Sequence, residues 1–492
     1  MGYEEIYDMT VKRPAIEPIR TEHKVQFLSD EQLDQMQQAT LHVMENVGVK
    51  FPSEQALAVF AEHGAQVDHE TQIVKLPRDL VRKAMATVPR YFNVGARDPA
   101  CDFHLEDGVT YFCTDGCGVE TIDFETRERR ASCKADVGRM AHVTDYLSSL
   151  AFYWPMVSAQ DHGRTAPLHE LDASFNNTVK HVQSETVMGG AFARYAVEMA
   201  TVVAGDAEEL RRRPLFSLIV CTIAPLVQDK EGIEGAMVMA EAGLPVGFLA
   251  MPTLGTTGPA TYAGSLIVGD AEIISATVLM QLVNPGAPVS HSQMHAWADP
   301  RSGNYIAYPT DARCRYAGVD MAHHWNMPSF GGAFGTESHT PGAWQAAADV
   351  ARDPLLIGLA GAEWVTGIGL NKSYTMLYPE AIILDNELYH RARYALARMD
   401  VSDETLALDI IDDVGPGGHY LAQKHTRKHM RPMAKQMGIT HEMDAKGKYR
   451  DPLEVAREKV MWILENYQPE PLEQAKQAEL TRILKSADKE LG

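Results

Sequence analysis

From residue 109 onward, short apolar runs and longer amphipathic stretches alternate in a steady rhythm. Strand candidates lie at residues 109–114, 151–158, 181–187, 215–222, 245–251, 288–294, 328–333 and 364–370. Helix-period stretches lie between them at 134–150, 167–178, 192–203, 229–242, 259–283, 304–326 and 340–362, and another at 379–396 follows the last run. Eight strands, each followed by a helix, predict an α/β fold: a closed parallel (β/α)8, or TIM, barrel. An open doubly wound sheet would alternate too, but no GxGxxG follows any of these strands.

The flanks have a different grain. Residues 1–28 are polar and irregular and read as an arm. Ser29-Asp30-Glu31-Gln32 is a capping box opening a helix to about Glu45, with Leu33, Met36, Ala39, Leu41 and Met44 apolar. A helix at 53–63, a hairpin across 68–71, a helix at 77–88 and short strands within 91–105 complete a mixed α/β extension, residues 1–108. The barrel is placed at 109–398 and a helical C-terminal extension at 399–492. That extension breaks at Asp412-Asp413-Val414-Gly415-Pro416-Gly417-Gly418-His419. It also carries the basic run KHTRKHMRPMAK at 424–435, read as a solvated helix face.

Composition narrows the partners. The 492-residue chain has a formal charge of −21, which argues against nucleic acid and anionic membrane. Six cysteines without a CxxC pair predict reduced thiols and a cytoplasmic protein. The N-terminus lacks the apolar core of a signal peptide. The longest apolar helix, 262–283, carries Asp270 and Glu272 and is expected to be a core helix, not a membrane span.

In such a barrel the chemistry belongs to the loops after the strands' C-terminal ends. Those ends carry Asp115, Gln160 to His162, Gln183, Glu185, Thr222, Thr253, His291, Gln293, His295, the loop Phe334 to His339, and Asn371 to Tyr374. Phe112, Tyr153, Trp154, Trp297, Phe330, Phe334 and Tyr374 are the nearby aromatics. His291 and His295 share a strand face with Gln293, and Cys314, His323 and His324 follow. However, no HxH sits on the first strand and Cys113 with Cys117 has no companion pair, so no metal is expected. No GxSxG elbow supports a serine nucleophile. The aromatics suit a small cation, since a quaternary ammonium is held by aromatic faces; the same rings also serve as core closure.

Three long segments carry more information than these short patterns. FLSDEQLDQMQQATLHVMENVGVKFPSEQALAVFAEHGAQVDHETQIVKLPRDLVRKAMATVP, ASFNNTVKHVQSETV and GGAFGTESHTPGAWQAAADVARDPLLIGLAGAEWVTGIG together resemble the trimethylamine:corrinoid methyltransferase family. The resemblance implies a βα barrel with terminal extensions. It also implies attack by the Co(I) of a corrinoid on a methyl carbon, with no general acid, base, metal or tightly bound cofactor required. The corrinoid is expected on a partner protein, because no cobalamin-binding DxHxxG occurs here. Archaeal trimethylamine enzymes of the family carry pyrrolysine where this sequence has ordinary residues, at 333–336. The chain therefore resembles the branch without pyrrolysine, whose members demethylate quaternary amines such as glycine betaine, proline betaine or carnitine. A tertiary methylamine or another methylated small molecule, or betaine binding without transfer, are the alternatives.

Strand-end position, not the resemblance, selects the expected pocket: Phe334, His339, His291, Gln293, Asp115, Glu185 and Asn371. His339 and His291 are expected to bind a betaine carboxylate, and Tyr153, Trp297 and Phe334 to wall the ammonium. A homo-oligomer is expected from the long extensions.

Overall fold

The computed structural model describes residues 11–116, 118–306, 312–372, 375–435 and 438–492, the side chains of 431–435 excepted. All eight expected strands form: β1 Val109–Thr114, β2 Leu150–Tyr153, β3 His181–Ser184, β4 Phe216–Cys221, β5 Val246–Ala250, β6 Val289–Gln293, β7 Phe330–Gly332 and β8 Trp364–Ile368. They run parallel in sequence order, and β8 pairs back onto β1. Between β6 and β7 closure is a single bridge, where His291 N–H donates to the Pro328 carbonyl at 3.0 Å. The second strand is half the expected length. Pro155 has no N–H to offer the ladder, so pairing stops at Tyr153.

The helices are α1 Lys134–Tyr146, α2 Ala166–Asn177, α3 Gly190–Ala204, α4 Lys230–Ala242, α5 Tyr262–Val283, α6 Ala312–His324, α7 Asp353–Ala360 and α8 Pro379–Leu396. Two depart from expectation. The stretch 304–326 is helical only from Ala312; Tyr305–Ile306 instead pairs with Ala296–Ala298, which pairs with Thr253–Leu254. The stretch 340–362 divides into Trp344–Val350 and α7. Pro354 lacks the N–H that would continue the ladder and sits in the first turn of α7, where that loss is free.

Helix α5 is buried nearly all round because it is covered twice, by β5 and β6 inside and by the helices Asp30–His42, Glu54–Glu62 and Arg78–Met85 outside. It is the one described helix long and apolar enough to cross a membrane, and here it is a core element. The Ser29/Gln32 capping box forms as read.

At the N-terminal end the barrel is plugged. The ribbon Asn93–Val94/Phe103–His104 puts Phe92, Val94, Phe103 and Leu105 against Tyr111, Phe152 and Trp364, with Phe103 stacked on Tyr111 at 4.3 Å. Ile19–Arg20 pairs beside the start of β1. Approach to the axis is therefore from the C-terminal ends. The C-terminal helices Pro452–Asn466 and Gln474–Leu491 pack on α8 with α1 and on α3 with α2 respectively.

Candidate active site

Parity decides what each strand offers the axis. On β1, Tyr111 and Cys113 face inward, so Asp115 does too; Phe112 faces outward against Tyr389 of α8. The Asp115 carboxyl is buried, and its pKa is raised to about 7, first by burial and then by the charge of Glu185 beyond β3. The Gly116 N–H (2.9 Å) and the Thr366 hydroxyl (3.1 Å) lie on its two oxygens.

Thr366 is also 2.8 Å from the Thr114 carbonyl. A hydroxyl has one proton, and both neighbours are acceptors when Asp115 is ionised. With Asp115 protonated both contacts are satisfied, Asp115 O–H donating to Thr366 and Thr366 to the carbonyl. The hydrogen bonding thus agrees with the raised pKa. Cys221, at the end of β4, reaches Glu185 at 3.7 Å, and burial together with that carboxylate holds its thiol protonated.

Trp154 packs on Gly116, the residue after Asp115. Thr114 grips the Trp154 backbone, with the hydroxyl 2.8 Å from the carbonyl and 3.0 Å from the N–H, where the β1/β2 ladder has ended. The indole lies flat on Gly116; a Cβ there would be 1.9 Å from Nε1. The indole N–H has no hydrogen-bond partner among the described residues. Phe330 stands 6.2 Å from Trp154, and Met294 lies across Gly332.

One buried cation completes the surroundings. Arg315, in the first turn of α6, donates 2.9 Å bonds to the Gly332 carbonyl and to Asp353, and its charge opposes the upward shift of Asp115. Asp353 also accepts from Tyr316 and Arg352, so α6, α7 and β7 are tied together at one carboxylate.

Of the expected pocket residues, Asp115 and Glu185 meet at the axis. His339 and Trp297 stay on the exposed rim, Trp297 on the small sheet above β5 and β6. Asn371 is buried beside the mouth, where Leu370–Asn371 pairs with Met376–Leu377, and bonds the Gly369 carbonyl. Four expectations are corrected. His291 faces the helix layer, donating to Asp270 of α5 at 2.8 Å, and Asp270 also accepts from Thr40 and Trp325. Gln293 points the same way, between Gly269 and Gly318 of the flanking helices and against His295. Tyr153 donates to the Val137 carbonyl of α1. Phe334, in a left-handed turn with Gly335 (φ 62° and 92°), packs edge-on to Phe112 outside the strands. Tyr374 and Cys117 lie outside the described residues.

Arg315, Thr366 and Gly116 were not singled out from the sequence. Gly116, next to an expected carboxylate at a strand end, was the one with a readable signal.

Two carboxylates, an indole and a guanidinium thus lie at the open, C-terminal end of the plugged barrel, the end at which βα barrels carry small-molecule sites. Comparison with known proteins gives the chemistry. The profile of the trimethylamine methyltransferase (MTTB) family matches residues 5–492. The trimethylamine methyltransferase MttB of Desulfitobacterium hafniense is 34% identical over 94% of this chain and 94% of its own. That of Methanosarcina thermophila is 29% identical over 92% and 95%. A glycine betaine methyltransferase of Desulfitobacterium hafniense is 28% identical over 95% and 98%. The crystal structure of the Methanosarcina barkeri monomethylamine methyltransferase MtmB shares the fold, with TM-score 0.50 at 12% identity over 90% of each chain. The chain belongs to the trimethylamine methyltransferase family and is a methyltransferase.

Proposed function

We propose that this enzyme moves a methyl group from a quaternary amine of the glycine betaine class to the Co(I) of a corrinoid carried by a separate cytoplasmic protein. No cofactor held by this chain is needed. In the reaction the cobalt electron pair forms the new Co–C bond, and the C–N pair remains on nitrogen as a neutral tertiary amine. The observation that carries the reading is the Asp115–Glu185 pair, with Trp154 packed on Gly116 next to Asp115 in sequence. A quaternary nitrogen has no N–H to donate, so opposite charge and an aromatic face are what can hold it. Positive charge leaves nitrogen in the transition state, so a fully ionised pair would over-stabilise the bound substrate. A carboxyl near 7 moderates this, and holding the N–CH3 bond in line with cobalt is the larger contribution.

A second reading has its own support. The 34% identical relative is named for trimethylamine, and a tertiary amine must be protonated to leave. A buried carboxyl that is half-protonated near pH 7 is a suitable donor. The test is loss of Co(I) absorbance when the purified enzyme is mixed with cob(I)alamin and a panel of methylamines. Loss with a betaine and not with trimethylamine is expected. Transfer from trimethylamine alone, rising as pH falls, would replace the first reading with the second.

A further inference from the structure

We infer that residues 399–435 form the contact surface of a twofold homodimer of this chain. The segment holds three helices, Asp403–Leu406, Leu408–Val414 and Lys424–Lys435. The first two bury no residue. Yet the segment is rich in apolar side chains: Met399 is 81% exposed, Leu408 62% and Leu421 86%, with Val401, Leu406, Ile411, Tyr420 and Met430 also exposed. Helices of four and seven residues do not hold together in water on propensity alone. An apolar surface of this kind marks a contact site.

Charge identifies what covers it. Residues 400–413 carry Asp400, Asp403, Glu404, Asp409, Asp412 and Asp413 and no lysine or arginine, whereas 424–435 carries Lys424, Arg427, Lys428, Arg431 and Lys435 and no acid. Within one chain the halves touch at Glu404, which pairs with Lys428 and His429. Asp409, Asp412, Asp413, Lys424 and Arg427 make no ion pair among the described residues. A surface that is acidic in one half and basic in the other complements a copy of itself turned through a twofold axis. A partner of single charge would meet one half with repulsion.

Position favours the same occupant. The segment leaves the barrel after α8, where Arg398 pairs with Glu22, close to the strand Ile19–Arg20 that flanks the start of β1. The segment therefore starts at the plugged end, and a second copy docked at its start leaves the open end free.

The test is sedimentation equilibrium of the full-length protein with paired charge reversals. Wild type is expected to be a dimer, or a larger even-numbered assembly, at micromolar concentration. D409K/D412K and K424E/R427E should each weaken association at least tenfold while keeping the wild-type circular dichroism, since the substituted side chains are not buried. An equimolar mixture of the two variants should re-associate, because each then presents the charge the other lacks. L408D/L421D should be monomeric. A monomeric wild type, or an assembly unchanged by all three variants, overturns the inference. So does dissociation by the charge variants without rescue on mixing.

Discussion

Asp115 shows what a single residue at a strand end can do once its neighbours are known. It accepts from the Gly116 N–H and lies beside the one-proton Thr366 hydroxyl, and burial with Glu185 keeps it protonated up to about pH 7. A bound quaternary cation favours the anion, so proton and substrate compete. Affinity for glycine betaine should be flat above about pH 7 and fall with decreasing pH below it, by up to about tenfold per unit. Asp115→Asn should bind roughly ten- to a hundredfold more weakly, with most of that slope gone, as two opposite charges in a partly buried site are worth a few kcal/mol. Calorimetric titrations from pH 5.5 to 8.5 check both; a slope retained in Asp115→Asn assigns the titration to another group. That Asp115 and Glu185 lie together at the axis was legible from their place at strand ends. His291, Gln293 and Tyr153 were misread for one reason: on a strand buried on both faces, apolar pattern does not say which parity faces the axis.

The missing parity was written in a neighbouring element. Helix α5 is 22 residues long, apolar nearly throughout, and carries Asp270 with 0% exposure. A carboxylate so placed must find donors. It finds Thr40 from the outer helix layer, Trp325 beyond α6 and His291 from β6, at 2.6, 3.0 and 2.8 Å. Had the acid in the helix been paired with the imidazole on the next strand, His291 would have been turned outward and Ser290 and Ser292 inward. Asp270→Asn keeps the volume but replaces one acceptor with a donor facing other donors. It should lower stability by about 2 kcal/mol, read from the midpoint of urea unfolding, and leave methyl transfer per folded molecule within twofold of wild type. A large loss of transfer in a fully folded variant would return His291 to the pocket. The count and order of the barrel strands were legible because a βα rhythm has few topologies open to it. The splitting of 340–362 was less so, since it depends on Pro354 together with the pull of Arg315 on Asp353.

Across the whole molecule, buried titratable groups of opposite kind are set against each other. Burial lowers His181 to about 4 and His295 and His390 to about 3, so each is neutral in the fold and charges on unfolding. Their contribution is complete above the unfolded value of 6.5 and is lost as pH falls below it. Burial raises Asp115, Glu272 and Asp385 to about 7. Between the unfolded carboxylate range and 7 the fold holds protons that the unfolded chain does not, so these three make the fold more stable as pH falls. The opposing slopes are each about 1.4 kcal/mol per pH unit per group, and further groups join both sides, burial lowering His142 and His169 and raising Glu170 and Asp320. Stability should therefore be nearly flat from about pH 6.5 to 4.5. It should then fall steeply once the unfolded carboxylates also protonate, since the imidazoles still titrate and carboxylates held low in the fold, such as Asp299 at about 2, add to the loss. Asp385, which accepts from the Gly369 N–H at 2.7 Å, is the group to remove. Asp385→Asn preserves that bond through its amide oxygen and abolishes one of the compensating slopes. Its urea midpoints should tilt downward from pH 6.5, by about 1.4 kcal/mol per unit relative to wild type. A variant whose profile stays parallel to that of wild type would mean that Asp385 is ionised in the fold across this range.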